Sequence, residues 1–323
     1  MKPKVFVTRP LPAPALELLS SACEVRSYAE DGAIPGSQLA DACCDVEGIL
    51  VNSAQITEDV LLAAPRLRAV SNCGVGYDNV DVAACNRRRI PITNTAGSLE
   101  DTTADLAFML LLATARRAIE ADRYVREGLW ERWQFGLLHG LDVHHKTLGL
   151  VGFGRIGQAM ARRGRGFSMR ILYWARRRAA ETLERELHAQ HANLEALLRE
   201  SDYVSLHVPL TPETRHIIDR KALRLMKSNA ILVNTARGPV VDEGALVDAL
   251  SSREIAGAGL DVFENEPRVH PDLIKLDNVV LAPHIGSATG ETRLRMATLA
   301  VKNLVAMLAG ERPANVVNPE IYS

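Results

Sequence analysis

The chain has 323 residues, 47% hydrophobic and 24% charged, with a formal net charge of −1. That is enough chain for two domains with their own cores. A balance so near neutral gives no field to draw in nucleic acid or an anionic membrane. No apolar run approaches the roughly 18 residues a bilayer span needs, and the start enters a strand with no signal-peptide layout. Cys23, Cys43, Cys44, Cys73 and Cys85 lack metal-site or redox spacing, so they read as reduced thiols of a cytoplasmic protein.

Lys4–Thr8 is a short β-type run, and an apolar-periodic helix follows near Ala13–Ser20. Strand-like and helix-like segments then alternate through Cys23–Tyr28, Gly36–Cys43, Gly48–Asn52, Thr57–Ala63, Leu67–Asn72, Val80–Arg88 and Ile90–Asn94. This is the rhythm of a doubly wound parallel sheet. Leu99–Glu127 reads as one long helical stretch, with Ser98 and Asp101 as candidate caps. Trp130, Trp133 and Phe135 lie in the irregular segment after it. A second series of strands runs through Leu148–Val151, Met169–Trp174, Tyr203–Val208, Ala230–Asn234, Gly257–Val262 and Asn278–Ala282, and a final helix covers Thr289–Ala309. The expected architecture is α/β, with two doubly wound parallel-sheet domains and a cleft between them. Residues 99–286 are expected to form one of them, of Rossmann type, and residues 1–98 and 287–323 the other, of flavodoxin-like type and completed by the last helix.

The second series opens on a specific signal. The apolar run ending at Val151 breaks into Gly152-Phe153-Gly154-Arg155-Ile156-Gly157, a G-x-G-x-x-G, and continues as a helix former. In a dinucleotide site the first glycine permits a tight turn, the second lets the backbone approach a pyrophosphate, and the third allows close helix–strand packing. The free N–H groups at the helix start then face the phosphates.

Four strand ends carry groups able to do chemistry. Asn72-Cys73-Gly74-Val75-Gly76-Tyr77-Asp78-Asn79 either exposes backbone amides to an anion or is a plain glycine turn. Arg237, just past a strand and before Gly238-Pro239, is placed to hold a carboxylate and a carbonyl, the bland reading being a surface ion pair. Asp261, Glu264 and Glu266 are either functional or ordinary loop carboxylates. His284, after a strand and before Gly286, is a candidate acid/base, and an acidic neighbour would favour its charged form. His144 and His145 read as solvated.

These stretches, in this order and spacing, resemble the D-isomer-specific 2-hydroxyacid dehydrogenases over nearly the whole chain. The likeness is nearest to the glyoxylate/hydroxypyruvate reductase branch, in stretches such as Asn72–Asp81, Thr102–Ala115 and Gly257–Glu264. The resemblance implies that His284 is the proton donor, Glu266 its carboxylate partner and Arg237 the substrate clamp. It implies that amides at Val75 and Gly76 hold the substrate carboxylate, with Asn52 and Ser287 near its substituent. Asp261 would bond the nicotinamide carboxamide, and Thr103, Val208, Pro209, Thr235, Ala236 and Gly286 would line the cofactor. It also implies a homodimer built through the cofactor domain. Leu99–Leu112, apolar on more than one face, and the tryptophan segment after it fit that expectation.

The choice of cofactor is read from the second strand of the Rossmann series, which ends Tyr173-Trp174-Ala175-Arg176-Arg177-Arg178. NAD sites carry an acidic residue there for the ribose 2′-OH. Ala175 stands in that place, and Arg176 and Arg177 could pair with a 2′-phosphate, so NADP(H) is expected over NAD(H). The competing reading is a solvated basic turn, since arginine supplies 31 of the 38 cationic side chains. Related activities fit less well. Phosphite dehydrogenases carry lysine where Val75 stands, and formate dehydrogenases carry glutamine where Glu266 stands. Phosphoglycerate dehydrogenases often add a regulatory domain, and the nicotinamide-sensing corepressors add a long tail. A 2-ketogluconate-type sugar-acid reductase is the nearest enzymatic alternative.

Overall fold

Short, mostly buried strands build the first sheet of the computed structural model, which describes residues Met1–Tyr322. Its strands are β1 (Lys4–Val7), β2 (Glu24–Ser27), β3 (Gly48–Val51), β4 (Ala69–Asn72) and β5 (Ile92–Thr93). All are parallel, in the order β2-β1-β3-β4-β5. β3 and β4 are buried at every position, as central strands covered on both faces must be. Successive side chains serve opposite layers. Phe6, Ile49, Val51 and Val70 join helices Gly36–Cys43, Glu58–Ala63 and Val82–Arg87, while Val5, Val7, Leu50 and Ala69 join helices Ala13–Ala22 and Gly290–Leu308. Met1–Leu99 together with Ser287–Ser323 form one compact unit, whose first segment ends at Leu99 rather than at residue 98.

Glu100–Gly286 form the other unit. Its strands are β6 (Thr147–Val151), β7 (Arg170–Trp174), β8 (Ala189–His191), β9 (Tyr203–Leu206), β10 (Ile231–Asn234), β11 (Gly257–Leu260) and β12 (Val279–Leu281). They run parallel in the order β12-β11-β10-β9-β6-β7-β8, so the winding reverses between β6 and β9. Ligands of open α/β sheets bind at the carboxyl ends of strands beside such a reversal. Asn193, Asp219 and Asp242 cap helices that follow strands, each accepting an amide of the first turn.

Three local expectations are corrected. The stretch Leu99–Glu127 is two helices, Glu100–Ala115 and Ala118–Arg126, broken where Arg117 adopts φ +51°. Asp101 lies inside the first turn instead of capping it, and it receives Arg163, which also bonds Asp105. The first helix turns Ala104, Ala107, Phe108, Leu110 and Leu111 into its own unit's core. Met109 of this helix stays exposed, and more exposed apolar surface follows at Ile119, Val125, Leu129, Trp130, Trp133 and Phe135. Finally, β8 is a polar three-residue strand absent from the sequence reading.

Candidate active site

The glycine loop is locked by what surrounds it. Gly152 has φ +102°, and a Cβ there would stand 2.5 Å from the His207 carbonyl oxygen. A Cβ at Gly157 would stand 2.3 Å from the Gly152 carbonyl, whereas around Gly154 there is open space. Helix Arg155–Gly166 starts at Gly154 with no side-chain cap and no acidic residue in its first turn. Its leading amides thus meet the positive dipole end with room for an anion, which fits a dinucleotide pyrophosphate. Arg155 is exposed, 3.9 Å from Glu100, and Ile156 packs on the core. The Phe153 ring is buried and stacked on Tyr173 at 4.0 Å, so its backbone is what the loop offers.

Further along the strand ends, Val208 is buried beside Gly152, and Pro209 is exposed with its carbonyl taken by Thr214. The Thr235 hydroxyl is buried without a partner among the described residues, an orphan that a bound group would satisfy. Ala236 donates its amide to Asn234, and Thr103 packs against Gly286. His207 escaped the sequence reading. Burial pushes its imidazole down to about 3, so it stays neutral at the sheet's reversal point, paired with Ser205 at 2.9 Å.

After β7, Ala175 is half-buried and Arg176 and Arg177 are exposed. Arg178 differs. It donates twice to Glu184, at 2.9 Å each, and Tyr173 donates to the same carboxylate at 2.5 Å. The bonds from Arg178 and then Tyr173 hold the Glu184 carboxyl down to about 2. The Tyr173 hydroxyl in turn accepts the Ala179 amide. Arg178 is therefore a brace under the turn, which leaves Arg176 and Arg177 as the arginines able to meet a phosphate.

The candidate acid/base pair lies in the same unit. His284 Nδ1 is 2.8 Å from Glu266 Oε2, with the two side chains 50% and 34% exposed. Glu266 Oε1 also accepts the Phe263 amide at 3.0 Å. Burial alone would raise the Glu266 carboxyl, but the bond and charge of His284, the Phe263 amide and the Arg237 charge outweigh it, and the net shift is downward. His284 sits in the left-handed region, φ +54°. Three amides in a row hold it there: His284 donates to the Asp261 carbonyl at 2.8 Å, and Ile285 and Gly286 donate to the Asp261 carboxylate at 2.7 and 2.8 Å. Burial raises the Asp261 carboxyl despite those two amides. Asp261 thus fixes the histidine backbone, a task its sequence role did not foresee.

Arg237 follows β10. The Asn234 side chain donates to its carbonyl at 2.9 Å, and its own guanidinium donates to the Ala236 carbonyl at 2.8 Å. A Cβ on Gly238 would stand 1.8 Å from the Phe263 carbonyl oxygen, so the arginine loop and the Phe263–Glu266 loop touch backbone to backbone. Glu264 lies behind the pair, bonded to His216 at 2.7 Å and to the Glu243 amide at 3.4 Å, while its own amide donates to Glu243 at 2.9 Å. Among the described residues no group of three or more His, Cys, Asp or Glu side chains could hold a metal ion.

In the first unit, Gly74–Tyr77 is a half-exposed loop beyond β4, with Val75 and Gly76 partly accessible. Asn52 donates its amide to Thr8 and accepts Ser53 on its side chain, and Ser287 is half-buried at the start of this unit's second segment. Asn72, Asn79 and Asn94 hold the Gly74–Tyr77 loop from within and were not singled out from sequence, although an asparagine at each end of a G-x-G run was the available signal.

Comparison with known proteins agrees with the fold. Residues 108–286 match the D-isomer specific 2-hydroxyacid dehydrogenase, NAD binding domain. The glyoxylate reductase of Thermococcus kodakarensis is 53% identical over 326 residues, covering 99% of this chain and 98% of its own. That of Thermococcus litoralis is 49% identical over 328 residues, covering 100% and 99%. The NADPH-dependent glyoxylate/hydroxypyruvate reductase of Sinorhizobium meliloti, solved with NADP and malonate, superposes with a TM-score of 0.87 at 35% identity, covering 98% and 97%. The chain belongs to the D-isomer specific 2-hydroxyacid dehydrogenase family.

Proposed function

We propose that this protein reduces small 2-keto acids, glyoxylate and hydroxypyruvate, to the D-2-hydroxy acids, with NADP(H) preferred to NAD(H). The observation that carries the reading is the His284–Glu266 pair, held at 2.8 Å beside the Arg237 loop, in a chain about half identical to glyoxylate reductases. When bound, the nicotinamide supplies the hydride. Protonated His284 gives its Nε2 proton to the carbonyl oxygen while Glu266 stabilises the imidazolium. Arg237 polarises that carbonyl and orients the carboxylate, which the Val75 and Gly76 amides also hold. Asn52 and Ser287 face the substituent, and Asp261 and Thr103 serve the nicotinamide side. The cofactor preference rests on Ala175, which brings no carboxylate, and on exposed Arg176 and Arg177.

The exposed apolar set from Ile119 to Phe135 supports a homodimer through the cofactor-binding unit. Five free cysteines, with the buried Cys43 and Cys85 thiols pushed up to about 12, accord with a reducing cytoplasm. Among the described residues, no helix is long and apolar enough to cross a membrane.

The test is steady-state oxidation of NADPH and NADH with both keto acids. Wild type should favour NADPH, His284→Ala should lose about 10²–10⁴-fold in kcat, and the Arg176→Ala/Arg177→Ala double variant should lose the NADPH preference. Equal kcat/KM with both nucleotides in wild type would overturn the preference, and no turnover of either acid would overturn the substrate class.

A further inference from the structure

Three asparagines decide which way the peptide groups of Gly74–Tyr77 face. The Gly74 carbonyl accepts the Thr95 amide at 3.0 Å and Asn72 Nδ2 at 3.3 Å. The Val75 carbonyl accepts Asn94 Nδ2 at 3.0 Å, and the Gly76 carbonyl accepts Asn72 Nδ2 at 2.7 Å. Three consecutive carbonyls are thus tied down by donors of their own unit. Asn72 spends its amide hydrogens on the two carbonyls that flank Val75. Its own oxygen accepts Asn79 Nδ2 at 3.2 Å, and Asn79 also donates to the Ala54 carbonyl at 2.8 Å. Asn72 is buried, 3% exposed, so these bonds form away from water, where leaving them unmade is costly. Asn94 is anchored in turn, its backbone carbonyl taken by Asn303 of helix Gly290–Leu308.

The other side of the same peptide groups is left open. The amides of Val75, Gly76 and Tyr77 have no acceptor among the described residues. In a trans peptide the N–H points opposite the C=O, so pinning successive carbonyls orients the amides between them. Successive unpaired amides are a site for an anion, and half-buried amides without acceptors favour a ligand that supplies one. We propose that Asn72, backed by Asn79 and Asn94, is the positioning residue that turns this loop into a preformed carboxylate cradle and thereby sets the affinity for the keto acid. This rests on the reading that the loop takes the substrate's carboxylate. The asparagines touch neither substrate nor cofactor and act through the loop backbone.

The decisive variant is Asn72→Asp. It keeps the side chain's size and an oxygen for Asn79, but replaces the donor to Gly74 and Gly76 with an acceptor. The readouts are KM and kcat for glyoxylate, inhibition by oxalate, and NADPH affinity by fluorescence. The proposal expects at least a tenfold rise in KM for glyoxylate and a parallel weakening of oxalate, with kcat within threefold and NADPH affinity unchanged. A merely structural role would lower NADPH affinity and kcat together with the substrate terms. A folded Asn72→Asp whose glyoxylate KM and oxalate inhibition stay within twofold of wild type overturns the proposal. If Asn72→Asp fails to fold, Asn94→Ala carries the test, because it frees the Val75 carbonyl alone: a rise of about threefold in glyoxylate KM is expected, and an unchanged KM overturns. If wild type turns over no keto acid, the proposed function fails. Oxalate binding by calorimetry then decides the cradle on its own, with loss of binding in Asn72→Asp supporting it and equal or absent binding in both proteins sinking it.

Discussion

Replacing Gly238 by alanine would show whether Arg237 and Glu266 are geometrically coupled through the backbone. The added Cβ would stand 1.8 Å from the Phe263 carbonyl oxygen, 1.9 Å from its carbon and 2.4 Å from the Glu264 nitrogen. Ordinary contact begins at 3.4 Å, so the two segments must separate by about 1.6 Å. The atoms struck are backbone on both sides, so no side-chain rotation relieves the clash. Overpacking of this kind costs about 1–3 kcal/mol of stability. Its effect on the reaction should exceed that cost, because one moving segment carries Arg237 and the other carries Glu266, whose oxygens bond Phe263 and His284. A displacement of about 1 Å in a reacting group costs roughly 10²-fold in rate, about 2.7 kcal/mol of barrier. The assay is kcat/KM for glyoxylate beside a thermal melt and an NADPH titration. The expected variant is folded, binds NADPH and is at least 10²-fold slower. A Gly238→Ala protein with wild-type kcat/KM and melting temperature would refute the coupling.

Two further outcomes follow from charges and surfaces described above. The Glu184 carboxyl is held down to about 2 by Arg178 and Tyr173, against about 4.3 for an unperturbed glutamate. Its stabilising contribution is therefore fully present above about pH 4.3 and is lost as pH falls toward 2. Glu184→Gln should melt below wild type at pH 6, and the gap should close between about pH 4.5 and pH 2. A gap independent of pH would mean that the ion pair is not its source. For assembly, light scattering at micromolar concentration should give a dimer mass, and Trp133→Glu with Phe135→Glu should shift it to monomer. A wild-type monomer peak would contradict the homodimer.

Sequence reading succeeded where one residue type can do one job. The run Gly152–Gly157 was legible because a tight turn, a close approach and a close packing each require glycine, and the structure places backbone within 2.5 Å at two of the three positions. Strand interiors such as Gly48–Val51 were legible because parallel strands covered on both faces are apolar throughout. It failed where a tertiary contact decides. Nothing in Arg116-Arg117 announces a helix break, but the Ala115 carbonyl is taken by the Leu141 amide, and Gly140 presses against that carbonyl. Arg178 is indistinguishable in sequence from Arg176 and Arg177 until Glu184, six residues on, folds back beneath it. Asp261 was legible as a strand-end carboxylate, but its hold on the three amides from His284 to Gly286 depends on the register of β11 beside β12.

The helix Gly290–Leu308 covers one face of the first sheet, where Ala297, Ala300, Val301, Leu304 and Met307 meet Val5, Val7, Leu50 and Ala69. During synthesis, β1 leaves the ribosome long before the residues of Gly290–Leu308 that close over it. At roughly 5–20 residues per second the wait is on the order of tens of seconds. Glu100–Gly286 is one uninterrupted stretch that holds every residue of its own core, and all of it is synthesised within that interval. The later-made unit is thus the first able to finish folding. The nascent chain carries a half-covered parallel sheet until the helix Gly290–Leu308 docks, which makes that sheet the surface a holdase would meet.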